Sequence, residues 1–540
     1  MGNSTIRRMM PLLLALLVCV TFAGFGSPTT EDSGSQTAPG PFGKYDPPIT
    51  IRTIKRASTT AEFPPGDSTE ENVWTREFQD ILGINVTYDW IVEAAQFNNR
   101  LNLTLASGDL PNVMGVPPSN FIELAHSGQL ADLTDVYEEY ASDELRAVMD
   151  AYPLGMESAT IDGKLYAIPQ NFYGNIASGH MIWIRTDWLE ELNLDPPETM
   201  DELEEVALAF MNNGADFGIS VSRELFGNMS SLKSWANGYH AYPGHWIRND
   251  EGEIVYGSIQ PEMRDFLEVL ADWYDRGIIS REFGVKDEGA ANADMLTGRV
   301  GITFGQQWLG WNPFVDLVRN DPTELFRPFP TPSVDGDPVY LQVAWSVQRY
   351  FAASADTPNP EALIKLANVY VQRHWYSQSV EEYEKFISGG EFDQQASLSP
   401  IFIIDARPEH KIHLRVVQAL RDRDPTGLST RGRAFYDNAM LWIEDRDPAG
   451  FGRWSQQADG GSYQAVIPTM DNDLWLSSEI RGADPEAWAR NKPVLDKLEA
   501  ETIVRIIIGD VPISAFDDFV EDWNELGGEA ATAEVNALYR

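Results

Sequence analysis

The chain contains very little cysteine. Its 540 residues include a single cysteine, Cys19, which lies near the N-terminus. One thiol excludes a framework of intramolecular disulfides, and it also excludes a zinc site built from several cysteine ligands. The folded protein must therefore be stabilised by its hydrophobic core alone.

Basic residues are also scarce. Lys and Arg together number 40 against 82 Asp and Glu, which gives a formal net charge of −42. Nucleic acids and anionic lipid surfaces are bound through clustered Lys and Arg, so a chain this acidic is not expected to bind either. The same charge argues against a polyanionic ligand such as alginate or pectin, unless a local basic patch compensates for it.

The sequence lacks the common catalytic motifs. It has no Gly-x-Ser-x-Gly nucleophile elbow and no His-Glu-x-x-His zinc motif. Gly43 and Lys44 are followed by Tyr45, where a phosphate-binding loop needs Ser or Thr. His410 and His413 can share a helix face, but this spacing indicates a solvated pair and not a metal site. We therefore expect no enzymatic activity and no cofactor.

Long apolar runs are absent after the N-terminus, so no later segment is predicted to span a membrane. Arg7 and Arg8, the apolar stretch 9–20 and the small residues that follow it indicate an export signal over residues 1–26. Residues 27–46 are polar and rich in Pro, Gly and Ser, which predicts a flexible linker.

The end of the export signal resembles a bacterial lipobox with one departure. Phe25 follows the Ala-Gly pair at the position of the cysteine that would carry the lipid. Cys19 is a poor substitute because Val18 precedes it where a small residue is required. Cleavage by ordinary signal peptidase after Gly26 fits the sequence. We predict an exported protein, extracellular or at the cell surface, and the presence of a lipid anchor stays open.

The mature part of the chain is long enough for two lobes. Strand-like and helix-like segments alternate along it, which predicts sheets of the parallel α/β type. A hairpin is predicted at residues 159–169 with Asp162-Gly163 as its turn, and the stretch from Asp484 onward is predicted to be mostly helical. Strands are predicted at residues 49–54, 84–91, 110–116, 217–221 and 299–304, and a helix at 200–211.

Four stretches of the sequence carry a family resemblance. They include Gly-Lys-Leu-Tyr-Ala-Ile-Pro at 163–169 and Gly-Arg-Val-Gly-Ile-Thr-Phe-Gly-Gln-Gln-Trp at 298–308. In order and spacing they make the chain similar to the bacterial extracellular solute-binding proteins of the maltodextrin-binding type, closest to the LipO-like branch. The full set comprises residues 105–113 with 125–133, 163–169 with 183–189 and 199–203, 298–308, and 506–528.

The resemblance implies an α/β fold like that of periplasmic binding proteins, with two discontinuous lobes and a ligand cleft between them. One lobe is expected to contain residues 47–170 and 343–400, and the other residues 171–342 and 401–540. The implied function is capture of a solute by a monomer that delivers it to the permease subunits of an ABC importer. An oligosaccharide is the favoured ligand. A peptide or another small polar solute, or a secreted carbohydrate-active enzyme, are the alternatives.

Some relatives carry a calcium loop rich in Asp and Asn before the strand that corresponds to residues 217–221. In this chain the loop at 212–216 reads Asn-Asn-Gly-Ala-Asp and offers at most three side-chain donors. Calcium needs six to eight oxygen ligands, so we expect no metal there.

Aromatic residues are the first candidates for the binding site, because the chain contains 16 Trp and aromatic rings cover the apolar faces of sugars. Trp308 follows a predicted strand and a glycine, where a side chain can enter a crevice. The resemblance implies that it stacks on a sugar ring, and the alternative is that it fills the core. Trp311, three residues later, is a second candidate with the same alternative.

Further candidates lie where the resemblance places the lobe crossings and the cleft rim. Asn171 and Tyr173 follow the predicted hairpin, and a plain surface loop is the alternative there. Trp345 lies at the expected return crossing, where a buried hinge tryptophan is equally consistent. The remaining ligand-binding candidates are Trp235 and Tyr239, which follow the strand at 217–221, and Asp67 in a rim loop.

Overall fold

The structure is a computed structural model that describes residues 36–37, 39–57, 63, 65–171, 179–343, 347–387, 394–405, 409–482 and 484–539. The predicted export signal lies outside these residues. The strands are β1 (Gln36–Thr37), β2 (Tyr45–Asp46), β3 (Ile49–Arg56), β4 (Ile84–Val92), β5 (Val113–Val116), β6 (Thr160–Ile161), β7 (Lys164–Leu165), β8 (Ala167–Asn171), β9 (His180–Arg185), β10 (Trp246–Arg248), β11 (Ile254–Tyr256), β12 (Ile302–Gln306), β13 (Phe326–Phe329), β14 (Leu341–Val343), β15 (Val347–Ala353) and β16 (Trp475–Ser477).

Helices account for most of the remaining regular structure. They are α1 (Val73–Leu82), α2 (Ala94–Ser107), α3 (Pro118–His126), α4 (Thr134–Tyr140), α5 (Asp143–Asp150), α6 (Pro153–Ser158), α7 (Thr186–Leu192), α8 (Met200–Asn212), α9 (Lys233–Asn237), α10 (Pro261–Asp275), α11 (Glu288–Leu296), α12 (Phe314–Asn320), α13 (Glu361–Trp375), α14 (Val380–Phe386), α15 (Gln394–Ser397), α16 (Glu409–Asp422), α17 (Thr430–Asp445), α18 (Phe451–Gln457), α19 (Ser462–Asp471), α20 (Glu486–Ile507), α21 (Ala515–Trp523) and α22 (Glu529–Tyr539).

Two hydrophobic clusters define two lobes. The first lobe forms around β3, β4, β5, β8 and β15, and its cluster includes Trp74, Phe121 and Tyr350. The second lobe forms around β9 and β12, and α8, α10 and the C-terminal helices α20–α22 cover it. Each lobe therefore combines segments that are distant in the sequence, as the family resemblance implied.

The sheet of the second lobe, in the order β12-β9-β13, is buried on both faces. Alternate residues of β9 point to opposite faces, so Ile182 and Ile184 enter the second-lobe cluster. Met181 and Trp183 enter a third cluster formed with α12, α18 and α19. This double burial explains why β9 reads as one continuous run of buried residues in the sequence.

The sheets are less parallel than the strand-helix alternation predicted. β5 and β8 are parallel to each other, but β15 lies between them and runs antiparallel to both. In the same way β9 lies between β12 and β13 and is antiparallel to both. The reason is that β9 and β15 each enter their sheet from the other lobe.

Most of the predicted elements are confirmed, with shifted ends. The Asp162-Gly163 turn joins β6 to β7, and both of its residues adopt a positive φ, as a two-residue hairpin turn requires. Helix α8 begins after Thr199, and Glu202 completes a capping box with it. The strand predicted at 217–221 is reduced to single bridges, such as the one from Ser220 to Thr303.

Two predicted boundaries differ from the packing. Residues 401–540 were assigned to the second lobe, but Val416 and Phe435 of α16 and α17 lie in the first-lobe cluster. The end of the predicted linker is also packed. Tyr45 is fully buried, and Lys365 Nζ donates hydrogen bonds to the carbonyl oxygens of Gly40 at 3.1 Å and Gly43 at 2.6 Å. Residues 40–46 are therefore part of the first lobe.

No helix in the described part of the chain has the length and apolar character that crossing a membrane requires.

Candidate functional site

Two chain crossings fix where the lobes meet. β8 ends at Asn171 in the first lobe and β9 begins at His180 in the second, while β14 ends at Val343 and β15 begins at Val347. Four Cα-to-Cα steps join Val343 to Val347, so these Cα atoms are at most about 14 Å apart. The end of β14 and the beginning of β15 therefore lie close together. Ligands of open α/β sheets bind at such edges.

The first-lobe edge carries two arginines. Arg56 ends β3, and Arg349 lies two residues after β15 begins. The guanidinium of Arg349 stacks over Phe97, with Cζ 5.0 Å from the ring centroid. Gly115 of β5 leaves room for it, because a Cβ there would lie 2.7 Å from Arg349 Cδ. Burial and, secondarily, the charge of Arg56 lower the pKa of Arg349 to about 10, so the group remains a cation at neutral pH.

The second-lobe edge is formed by the beginning of β9 and the end of β12, where His180 is paired with Gln306. Gln306 accepts hydrogen bonds from two tryptophans. Its backbone oxygen accepts a hydrogen bond from Trp183 Nε1 at 3.2 Å, and its Oε1 accepts one from Trp308 Nε1. Trp183 is fully buried, whereas Trp308 is half-buried against the third cluster. Trp308 thus has its N–H satisfied within the protein and leaves part of its side chain exposed.

The turn that carries Trp308 is braced by α18. Gln456 Nε2 of this helix donates a hydrogen bond to Gln307 Oε1. The guanidinium of Arg453 lies over the ring of Trp311, with Cζ 4.9 Å from the centroid. Trp311 is therefore engaged by the protein itself, although both tryptophans are half-buried.

Helix α9 adds polar groups beside the same edge. Asn237 Nδ2 donates to Gln342 Oε1 at 2.9 Å, and Gln342 Nε2 donates to the carbonyl oxygen of Pro243 at 2.9 Å. This buried network fixes α9 to β14. Lys233 lies one turn before Asn237 and is half-buried, and its Nζ has no hydrogen bond or ion pair with any described residue. Burial lowers the pKa of Lys233, and the nearby Glu288 opposes this change.

His180 is a buried histidine at the first residue of β9. Burial lowers its pKa well below the ordinary value, and the charge of Lys233 adds to the effect. The ring is therefore neutral at physiological pH. Within the described residues its Nδ1 has no hydrogen-bond partner.

Trp235 was predicted to line the cleft, but the structure places it in the core of the second lobe. Its side chain is fully buried, and its ring stacks on Phe304 with centroids 5.4 Å apart. In this arrangement Trp235 has no surface to offer a ligand. Tyr239 is half-buried and packs on Phe266, with ring centroids 5.3 Å apart, and burial raises the pKa of its hydroxyl.

Four further predicted residues are Asp67, Asn171, Tyr173 and Trp345. Asp67 forms a bidentate ion pair with Arg76, with Oδ1 2.9 Å from Nη1 and Oδ2 3.0 Å from Nη2. Asn171 ends β8 opposite Val347, but its side chain is not among those described. Tyr173 and Trp345 lie outside the described residues. A ligand-binding role for these four residues stays a prediction.

The short loop before residues 217–221 uses its acidic side chain within the protein. Asp216 Oδ2 accepts a hydrogen bond from Arg299 Nε at 2.5 Å. A carboxylate already paired with arginine is a poor starting point for a cation site.

Sequence reasoning did not identify Arg349, Arg56, Lys233 or His180. Arg56 directly follows Lys55, and Arg349 directly follows Gln348, so neither stands out as a lone polar residue in the sequence. The available signal was position, because Arg56 lies two residues after the strand predicted at 49–54. Whether such a cation is paired depends on contacts between distant segments.

Comparison with known proteins agrees with this architecture. The chain matches the bacterial extracellular solute-binding protein family over residues 60–372. It is 24% identical to lipoprotein LipO of Bacillus subtilis over 512 residues, which span 88% of this chain and 90% of LipO. It is 25% identical to the polygalacturonan/rhamnogalacturonan-binding protein YtcQ of the same organism over 306 residues, which span 54% of this chain and 56% of YtcQ.

A solved structure shows the same fold. The ABC-transporter substrate-binding protein FusA of Streptococcus pneumoniae, in complex with kestose, has a TM-score of 0.60 at 15% sequence identity. The superposition covers 91% of this chain and 98% of FusA. The two-lobed fold and the family match over residues 60–372 lead to one conclusion: the chain belongs to the bacterial extracellular solute-binding proteins.

Proposed function

We propose that this protein binds an oligosaccharide between its two lobes and delivers it, as a monomer, to the permease subunits of an ABC importer. Family membership supports the binding role. Relatives named for saccharide ligands, YtcQ and FusA, support the ligand class. The chain aligns with about half the length of each of these two relatives, so the ligand is argued from its own residues.

Trp308 is the observation that carries the proposal. It lies at the sheet edge beside the lobe crossing, and its indole N–H is bonded to Gln306. A tryptophan with a satisfied N–H and a partly exposed side chain presents an apolar surface without an unpaired polar group. Sugars have apolar C–H faces that such a surface covers, and their hydroxyl rims need hydrogen-bonding side chains around it.

The test is Trp308→Ala, measured by calorimetric titration against a panel of oligosaccharides. Loss of the ring contact should weaken binding by about 1–3 kcal/mol, or about five- to hundred-fold, with little change in thermal stability. Trp188→Ala is the matched control, because Trp188 is also half-buried but packs on Phe210 at 5.2 Å. It should lower stability and keep affinity. A stability loss in Trp308→Ala with unchanged affinity would show that Trp308 is a core residue.

We also propose that the protein binds its ligand without converting it. Incubation with the bound oligosaccharide followed by chromatography should return the sugar intact. Shortened products would instead favour the carbohydrate-active enzyme. A peptide-binding role predicts stabilisation by peptides, and not by sugars, in a thermal-shift screen.

Export follows from the same family. We propose that the mature chain begins near Ser27 and carries no lipid, because Phe25 occupies the lipobox cysteine position. Mass spectrometry of the exported protein reads the N-terminus directly, and Phe25→Cys should introduce lipid attachment. A lipidated Cys19 at the mature N-terminus would contradict the proposal.

A further inference from the structure

Three cations at the facing sheet edges form no ion pair with a carboxylate of the described residues. The side chains of Arg56 and Arg349 and the Nζ of Lys233 form no hydrogen bond or ion pair with any described residue. Arg52, on the same strand as Arg56, shows the contrast, because it bridges Asp89 at 2.8 Å and Asp109 at 3.0 Å. In a chain with twice as many acidic as basic residues, unpaired cations gathered at one place need an explanation.

Partial burial makes Arg349 and Lys233 costly to keep unpaired, whereas Arg56 is exposed. The largest influence on the pKa of both Arg349 and Lys233 is burial, which lowers it. No described carboxylate offsets that effect at Arg349, and the nearby Arg56 adds to it. A buried charge without a counter-charge is destabilising, and an anion that binds beside it removes part of this cost.

The two half-buried cations, Arg349 and Lys233, lie on opposite sides of the lobe crossing. Arg349 follows Val347, where β15 begins in the first lobe. Lys233 lies one turn before Asn237, which is bonded to Gln342 at the second-lobe end of the same crossing. A ligand between the lobes therefore meets a positive charge on each side.

We propose, on the basis of the saccharide-binding function above, that the ligand is an anionic saccharide whose carboxylate is bound between Arg349 and Lys233. The planar guanidinium presents parallel N–H donors that match the two oxygens of a carboxylate. Trp308 covers the apolar face of a sugar ring in the same ligand. The contacts come from both lobes, so the anion stabilises the closed arrangement more than an open one.

This ligand class differs from the one that net charge alone favoured. The acidic composition argued against alginate- or pectin-like ligands unless a local basic patch compensates. Arg349, Arg56 and Lys233 provide such a patch at the facing edges. A neutral oligosaccharide would leave the half-buried charges of Arg349 and Lys233 without an anion bound beside them.

The experiment compares trisaccharides of uronic acids with their methyl esters, which remove the charge and keep the sugar. Calorimetric titration uses the full mature protein and includes a neutral and a sulfated trisaccharide. We expect one acid to bind about ten- to hundred-fold tighter than its ester, with the difference shrinking at high salt. A sulfated sugar that binds more tightly than every carboxylate would overturn the carboxylate assignment.

Variants locate the effect. Arg349→Gln and Lys233→Met should each remove most of the preference for the acid over the ester, while Arg349→Lys retains part of it through its charge. Lys497→Gln is the control, because Lys497 is exposed on α20 far along the chain from these edges. Thermal unfolding of each variant checks that it folds. If Arg349→Gln does not fold, the acid-to-ester preference of Lys233→Met still tests the proposal.

The outcomes separate this proposal from the one on which it rests. If esters or neutral trisaccharides bind as tightly as the acids, the anionic ligand is wrong and the saccharide-binding function stands. If no saccharide binds, both are wrong. A preference for the acid that persists in Arg349→Gln and Lys233→Met would show that other residues recognise the charge, and would overturn the assigned site.

Discussion

Glu499 in α20 gives the stability of the second lobe a specific pH dependence. Its side chain is buried, with 5% of the residue exposed. Oε2 accepts a hydrogen bond from the Tyr256 hydroxyl at 3.0 Å, and Oε1 accepts one from Ser258 Oγ at 2.7 Å. Burial raises the pKa of the Glu499 carboxyl to about 7, against the opposing effect of these two hydroxyl donors.

The sign of the effect follows from proton binding. In the unfolded chain the carboxyl ionises near 4.5, whereas in the folded protein it holds its proton up to about pH 7. Between these values the folded state binds more protons, so the free energy of unfolding falls as pH rises through this window. The difference between the two pKa values corresponds to about 3 kcal/mol, which is lost by the time the pH exceeds 7.

Glu499→Gln tests this reasoning, because an amide is neutral at every pH and keeps one oxygen that can accept a hydrogen bond. From about pH 5 to pH 8 the stability of the variant relative to the native protein should rise by about 3 kcal/mol. The assay is urea denaturation at a series of pH values, followed by tryptophan fluorescence. Glu501→Gln removes an exposed carboxylate from the same helix as a control. A constant stability difference between the Glu499→Gln variant and the native protein across the series would refute the argument.

Two further predictions concern packing. Trp523→Ala removes a fully buried ring that stacks on Tyr256 at 5.0 Å, and it should cost about 3–5 kcal/mol in urea denaturation. A loss below about 1 kcal/mol would show that this cluster is loosely packed. Lys365→Met removes the hydrogen bonds to Gly40 and Gly43, so trypsin should cleave after Lys44 faster than in the native protein or in Lys385→Met, which changes an exposed lysine. Equal cleavage rates would contradict a docking role for Lys365.

The elements that sequence reasoning predicted well carry strong local signals. The Asp162-Gly163 turn is specified by two residues that tolerate a positive φ. Helix α8 is specified by Thr199 and Glu202, which cap its first turn through contacts within four residues. Such features depend on neighbours in the sequence, and they form wherever the segment is placed in the fold.

The errors concern partners that are distant in the sequence. An amphipathic helix such as α17 shows that one face is buried, but the same pattern fits a partner in either lobe. Phe435 lies in the first-lobe cluster, while Trp442 of the same helix lies in the third cluster. Residues 40–46 were misassigned for a related reason, since their composition predicts a linker and their docking depends on Lys365.

The candidate site residues were also hard to predict, because their burial depends on contacts between distant segments. Trp235 and Trp308 both come soon after predicted strands, and no local feature distinguishes them. Trp235 is enclosed because Phe304 and Trp273 pack on it, whereas Trp308 lies at the end of β12, where the sheet stops. The position of the residue relative to the sheet edge decides between core and cleft, and this position emerges only when the strands are assembled.

The proposed anionic ligand differs from the expectation drawn from net charge, because net charge describes the protein from far away. Beyond about 10 Å, salt screens the field of the acidic surface, so an approaching anion meets only weak repulsion. At contact, only charged groups within a few ångströms of the ligand matter. At the facing edges these include Arg349 and Lys233, whose side chains form no ion pair with a described carboxylate. An acidic surface and an anion-binding cleft are therefore compatible, since the first acts on long-range encounter and the second on the bound state.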